Sequence, residues 1–244
     1  MDAPDAPPSA AGPRVRWGLP DVALAWFAGL LGGVVALAVA VAVLQVPQDE
    51  VADDVSVFLA VIAGQSGASI GVLALVGRSR GMGGLRRDFG LRVRARDLGW
   101  VPAGVALQIV LVLALAPISE LYGRDEAQGV VDRLEDASGP GLVLFCMAVV
   151  VLAPLAEELL FRGALLRALL RRTTPAWAVF GSALVFAVVH PLGDPDVGSV
   201  IAVPALLALG LVSGRLAVRS GDLSRSILLH SGFNLLTVVS ILGD

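Results

Sequence analysis

The stretch GLVLFCMAVVVLAPLAEELLF, residues 141–161, runs without a charge from Gly141 to Ala156 and then sets two glutamates, Glu157 and Glu158, side by side. A helix needs about 20 apolar residues to cross some 30 Å of hydrocarbon, and this run is long enough. Six further runs of the same kind lie at about 22–45, 55–76, 98–118, 175–193, 198–216 and 223–242. The run at 175–193 is the weakest, because Pro191 follows His190. Across all 244 residues the chain is 56% apolar and 16% charged, with a mean hydropathy of +0.82, whereas soluble domains carry about 25% charged residues. The expected fold is therefore all-α. It is a polytopic transmembrane helical bundle of about seven spans, with an eighth span or a re-entrant piece near 185–200 as the alternative, and with a polar cavity inside the membrane.

Arginine placement orients the bundle, since loops on the cytoplasmic side are enriched in basic residues. Alternation groups the segments 1–21, 77–97, 162–174 and 215–222, which hold every arginine except Arg124, Arg133 and Arg225, the last just beyond the fourth segment. The opposite loops are acidic, with Asp49, Glu50, Asp53, Asp54, Asp132, Glu135 and Asp136. An integral membrane protein with a cytoplasmic N-terminus follows. The Arg-rich 77–97 loop reads as a topology determinant facing membrane lipids, and Gly77, Gly81, Gly83 and Gly84 predict a flexible first half. Residues 1–20, rich in Pro, Ala and Asp, read as a disordered tail without the build of a signal peptide. Arginine supplies all 18 basic residues, a bias expected of a GC-rich bacterial genome and hence of a bacterial inner membrane. A net charge of −3 does not suggest a nucleic-acid partner. The single Cys146 rules out an internal disulfide or a cysteine metal cluster.

Ionisable side chains in hydrocarbon are costly, and each one is a functional hypothesis. Away from loops and helix ends they are Glu157, Glu158, Arg162, His190 and His230, joined by the amides of Asn234, Gln65 and Gln108. Glu158 and Arg162 stand four apart on one helix face, where they can pair. Glu157 is rotated about 100° from that face. A carboxylate without a cation beside it, in low dielectric, takes up a proton readily, which suits a general base. Phe186 and His190, and likewise His230 and Asn234, are also four apart. Glu157 with His190 can hold and deprotonate a water, while His230 and Asn234 can donate to the oxyanion of a tetrahedral intermediate. Ser231 has no base arranged beside it, and Cys146 lies about three turns from Glu157.

The motifs Glu-Glu-x-x-x-Arg at 157–162, Phe-x-x-x-His at 186–190 and His-x-x-x-Asn at 230–234 resemble those of the CPBP family. It comprises CAAX prenyl endopeptidases of the Ras-converting type and bacterial bacteriocin-processing or immunity homologues. The resemblance covers roughly 141–240, which it marks as a catalytic core behind N-terminal helices at 21–140. It implies an intramembrane endopeptidase acting on a peptide or membrane-protein substrate near its membrane-associated end. Glu157 and His190 would activate water, and His230 and Asn234 would hold the oxyanion. Glu158, Arg162 and Phe186 would support them. The prenyl endopeptidases have eight spans where seven runs are found here. The family is commonly labelled a metalloprotease group, and Glu157, His190 and His230 would be the zinc ligands; with no His-Glu-x-x-His present, metal-free catalysis without a cofactor is the preferred expectation. A non-catalytic scaffold or immunity factor is the main alternative, and a proton-coupled transporter a second. One tension remains: with α-helical spans bounded as above, Glu157 and His190 would differ in depth by about 15 Å.

Overall fold

In hydrocarbon every backbone N–H and C=O must find a partner within the chain, which leaves helices as the economical form for these runs. A computed structural model of the protein describes residues 15–122, 139–191 and 197–242. Those residues form helices and turns with no strand. The long helices are α1 (Leu19–Leu44), α2 (Val55–Arg80), α3 (Trp100–Tyr122), α4 (Pro140–Leu170), α5 (Pro175–Val189), α6 (Val197–Ser220) and α7 (Ser224–Leu242). Each corresponds to one of the apolar runs. Among the described residues, five stretches are long and apolar enough to cross a membrane: Leu19–Leu44, Val55–Arg80, Ala95–Pro117, Pro140–Leu170 and Ala202–Ser220. Helix α5 has only 15 residues, and α7 carries its polar residues into the interior, where Ser224, Ser226, His230 and Ser231 are buried. The acidic loop with Asp132, Glu135 and Asp136, and its Arg124 and Arg133, lie outside the described residues.

Helix α4 is the hub, touching α1, α2, α5, α6 and α7, while α1 packs along α2 and α3 along α7. Small residues on both helices allow the close crossing of α3 and α7, as membrane helices favour. A methyl group at Gly104 of α3 would overlap the Leu229 carbonyl of α7, and one at Gly232 of α7 would overlap the Val101 carbonyl of α3. The outer face of α1 exposes Leu24, Phe27, Leu31, Val34 and Val43, which suits contact with lipid tails.

Two departures from expectation concern the Arg-rich end. Residues 1–14 lie outside the described residues, but Trp17 is buried against Phe89 with ring centroids 4.8 Å apart, and α1 already begins at Leu19. The tail therefore ends before residue 20. The glycine-rich stretch after α2 is organised around buried Asp88, which accepts from Trp17 Nε1 (3.2 Å), Met82 N (2.7 Å) and Gly84 N (2.9 Å). Glycine at 81 leaves room for that carboxylate, and Gly83 and Gly84 adopt φ of 116° and 132°. The glycines serve a tight turn here.

The depth tension resolves because neither helix keeps its expected boundary. Helix α4 extends to Leu170, and α5 ends at Val189 with His190 at its C-terminus. Counted from the 171–174 turn that joins them, Glu157 lies about 20 Å up α4 and His190 about 22 Å up α5 at 1.5 Å per residue. Arg167 of α4 also donates to Gly221 O at 2.8 Å, which ties the α6–α7 turn to the level of Arg167. From that level Glu157 and His230 each stand about 14 Å further on.

Helix α4 is also wound irregularly. Residues Ala148–Leu152 and Leu159–Leu165 are π-helical, a form that gathers at functional sites. In the first stretch Ala153 N–H reaches back to Ala148 O. In the same register the partner of Val149 O would be the N–H of residue 154, and Pro154 has none. The freed carbonyl accepts instead from Asn234 Nδ2 of α7 at 2.9 Å. In the second stretch Leu166 N–H reaches Phe161 O, which also accepts from Ser182 Oγ of α5 at 2.8 Å. The irregular turns of α4 thus become its polar links to neighbouring helices.

Two outcomes test this packing by thermal unfolding in detergent. Gly104→Ala or Gly232→Ala should destabilise the protein by about 1–3 kcal/mol through overpacking, whereas Gly67→Ala, with open space around it, should not. Asn234→Leu should cost about 1–3 kcal/mol by leaving Val149 O unpaired. Pro154→Ala, which returns an N–H to α4, should shrink that cost, and simple additivity of the two changes would refute the link.

Candidate active site

Adjacent glutamates on a helix face different ways, and α4 uses both directions. Glu158 is fully buried, and its Oε1 takes Arg162 Nη1 at 3.0 Å and His230 Nδ1 at 3.1 Å. The Arg162 guanidinium lies over the Phe186 ring, 4.2 Å from its centroid. A charge removed from water is tolerable only when paired and well packed, and this cation has a carboxylate on one side and an aromatic face on another. Phe186 also sets its ring against both imidazoles, 4.5 Å from His190 and 5.8 Å from His230, in edge-to-face contacts.

Glu157 turns the other way, its side chain 30% exposed. Its Oε2 stands 3.8 Å from His190 Nε2 and 3.6 Å from His230 Nε2. These separations are too long for direct hydrogen bonds and suit bridging through one water. The outer nitrogen of each ring is held. His190 Nδ1 lies 2.6 Å from Phe186 O, so Nδ1 carries the proton and donates. His230 Nδ1 faces the Glu158 carboxylate and donates in the same way. In the neutral rings both Nε2 lone pairs therefore point toward Glu157.

A cavity of about 340 Å³ opens beside Glu157 and His190. Its walls come from α1 (Trp26, Leu30), α2 (Ile62, Gln65, Ser66, Ser69), α4 and the end of α5. The four expected catalytic residues are not equally placed. Glu157 and His190 line the cavity, and His230 approaches Glu157 from α7. Asn234 is one turn further along α7, with one amide N–H on Val149 O; an amide nitrogen has a second N–H to give. Gln108 is elsewhere, donating to Thr237 Oγ1 at 2.6 Å between α3 and α7. Cys146 is a free thiol that does not line the cavity.

Sequence reasoning missed Ser66, Ser69 and Trp26. Hydroxyls are inconspicuous in membrane helices because they ordinarily bond back to the preceding turn. Only the spacing 62, 65, 66 and 69, one face of a helix, signals that they act together.

Were a metal bound, Glu157, His190 and His230 would be its ligands, and it would supply a polarised water. The anchoring of each ring through Nδ1 fits ligation. Both short approaches run through Glu157 Oε2 alone, however, and among the described residues no three His, Cys, Asp or Glu side chains are grouped to hold a metal ion. The fit is partial, and no step below is routed through a metal.

Residues 139–236 match the type II CAAX prenyl endopeptidase Rce1-like family. That range contains all three polar motifs and begins one residue before α4. The chain is also similar to an uncharacterised 24.3 kDa protein of Escherichia coli, with 30% identity over 138 residues, which cover 55% of this chain and 61% of that protein. No solved structure matches. Residues 139–236, which carry the site, are thus similar to the type II CAAX prenyl endopeptidase Rce1-like family.

Proposed function

We propose that the protein is an intramembrane peptidase of the CAAX-protease-like type, hydrolysing a peptide bond near the membrane-associated end of its substrate. The observation that carries this reading is the approach of Glu157 Oε2 to both imidazole Nε2 atoms beside a cavity walled by apolar helices. A water held between Glu157 and His190 loses a proton to Glu157 as its oxygen attacks the scissile carbonyl. The oxyanion that forms is met by His230, which in its doubly protonated form keeps Nδ1–H on Glu158 and offers Nε2–H. Asn234 has its second amide N–H for the same task. The proton taken up by Glu157 passes to the leaving amine as the C–N bond breaks. Metal-free hydrolysis is the preferred form, since these groups supply both base and oxyanion donors. The arginine distribution supports a bacterial inner-membrane location with a cytoplasmic N-terminus.

The test is purified full-length protein assayed on a peptide library, with and without chelator. The wild type should cleave, and Glu157→Gln should slow cleavage by about 10²–10⁴-fold, the worth of a general base, with normal insertion. Chelator should leave the rate unchanged; loss reversed by zinc would overturn the metal-free form. Absence of cleavage with full cellular function in Glu157→Gln would point to a non-catalytic scaffold or immunity role. A second outcome separates support from folding. Glu158→Leu or Arg162→Met alone should cost about 3–5 kcal/mol by stranding a buried charge. The double variant should recover stability without recovering cleavage, because His230 has lost its Nδ1 acceptor.

A further inference from the structure

Helix α2 presents an unusual face to the cavity. Ile62, Gln65, Ser66 and Ser69 fall at helical spacing and line the same cavity as Glu157 and His190. Three serines behave as membrane serines commonly do, donating to the carbonyl four residues back: Ser79 to Leu75 O (2.7 Å), Ser220 to Leu216 O (2.8 Å) and Ser240 to Leu236 O (2.9 Å), while Ser213, away from the cavity, is buried and unpaired. Ser69 does not. Its Oγ is buried and has no hydrogen-bond partner, and the residue is 5% exposed. Gln65 sits on the same wall and is exposed there. A buried, unpaired hydroxyl is expensive in an apolar interior, so Ser69 is poised for something that enters, and the exposed Gln65 amide beside it is open to the same occupant.

We infer that the Gln65–Ser66–Ser69 face binds the main chain of the substrate, which enters as an unwound, extended segment and not as a helix. A carboxamide presents both a donor and an acceptor, the complement of a peptide group, and the hydroxyls add further donors. A helical peptide has already paired those groups with itself and would leave the α2 face unsatisfied. The helix would also be about 10–12 Å across with side chains, whereas the cavity is at the small end of ligand sites, about 300–1,000 Å³. The apolar walls, Trp26, Leu30, Ile62 and Leu160, suit an aliphatic or aromatic side chain of that segment. A lipid tail would need the apolar walls only. The peptide nature of the occupant rests on the peptidase reading above; the polar requirement of the α2 face does not.

The test uses full-length Glu157→Gln protein in detergent and a fluorescein-tagged peptide with an extended apolar tail, beside the same peptide with its tail amides N-methylated. Fluorescence anisotropy should show the parent peptide binding. Binding should weaken about 3–10-fold, the worth of one or two hydrogen bonds, for the N-methylated peptide or with Ser69→Ala or Gln65→Leu added. Neither substitution should lower the unfolding temperature of the free protein, as a structural serine would. On the wild-type background the same substitutions should raise KM with little change in kcat. Equal binding of both peptides, binding indifferent to Ser69→Ala and Gln65→Leu, or no binding of either peptide would overturn the inference. Variant-sensitive binding without any cleavage by the wild type would instead retain the main-chain site and reject the peptidase reading.

Discussion

The carboxylate of Glu158 lies where no charge is welcome, and the arrangement that makes it tolerable also organises the site. Its Oε1 is shared between Arg162 of its own helix and His230 of α7. Arg162 in turn rests on Phe186 of α5, and Phe186 touches both imidazoles. Three helices are thereby tied at one level by a single buried ion pair. In a low-dielectric interior such a pair is worth little against an apolar replacement, but removing one member is severe. Its value lies in register: with Glu158 turned inward onto Arg162 and His230, Glu157 faces the cavity.

Irregularity in α4 follows a similar logic. A straight α-helix with alanine at 154 would pair its own carbonyls and offer none to its neighbours. Pro154 leaves Val149 O without a helical partner, and Phe161 O, though bonded to Leu166 N–H, accepts a second bond; Asn234 and Ser182 supply the donors. The central helix is thus fastened to α7 and α5 by hydrogen bonds as well as by packing, where apolar contact alone has little directional content because lipid is equally apolar.

Much of the architecture was legible in the chain, because a bilayer restricts the options to one element type and a narrow range of lengths. Each apolar run became a helix, and Glu158 with Arg162 followed from their spacing of four. The residues Glu157, His190 and His230 stood out because ionisable groups are so scarce there. Ser66, Ser69 and Trp26 did not stand out, since serine and tryptophan are ordinary in membrane helices and only a shared wall distinguishes them. The glycines near residue 80 were misread as flexible because their composition does not reveal Asp88 folding back among them.

What the sequence by itself determined is the solvent, the helical class and the short inventory of polar groups, all of which follow from composition and helical period. Only the tertiary structure decided that these groups meet. Helix α4 continues past its apolar run to Leu170, α5 stops at Val189, and the α6–α7 turn is tied to the level of Arg167. Those placements bring Glu157, His190 and His230 to one depth. Hydropathy cannot register them, because it measures where a segment prefers to lie and not where a neighbouring helix, a proline or a buried charge requires it to end.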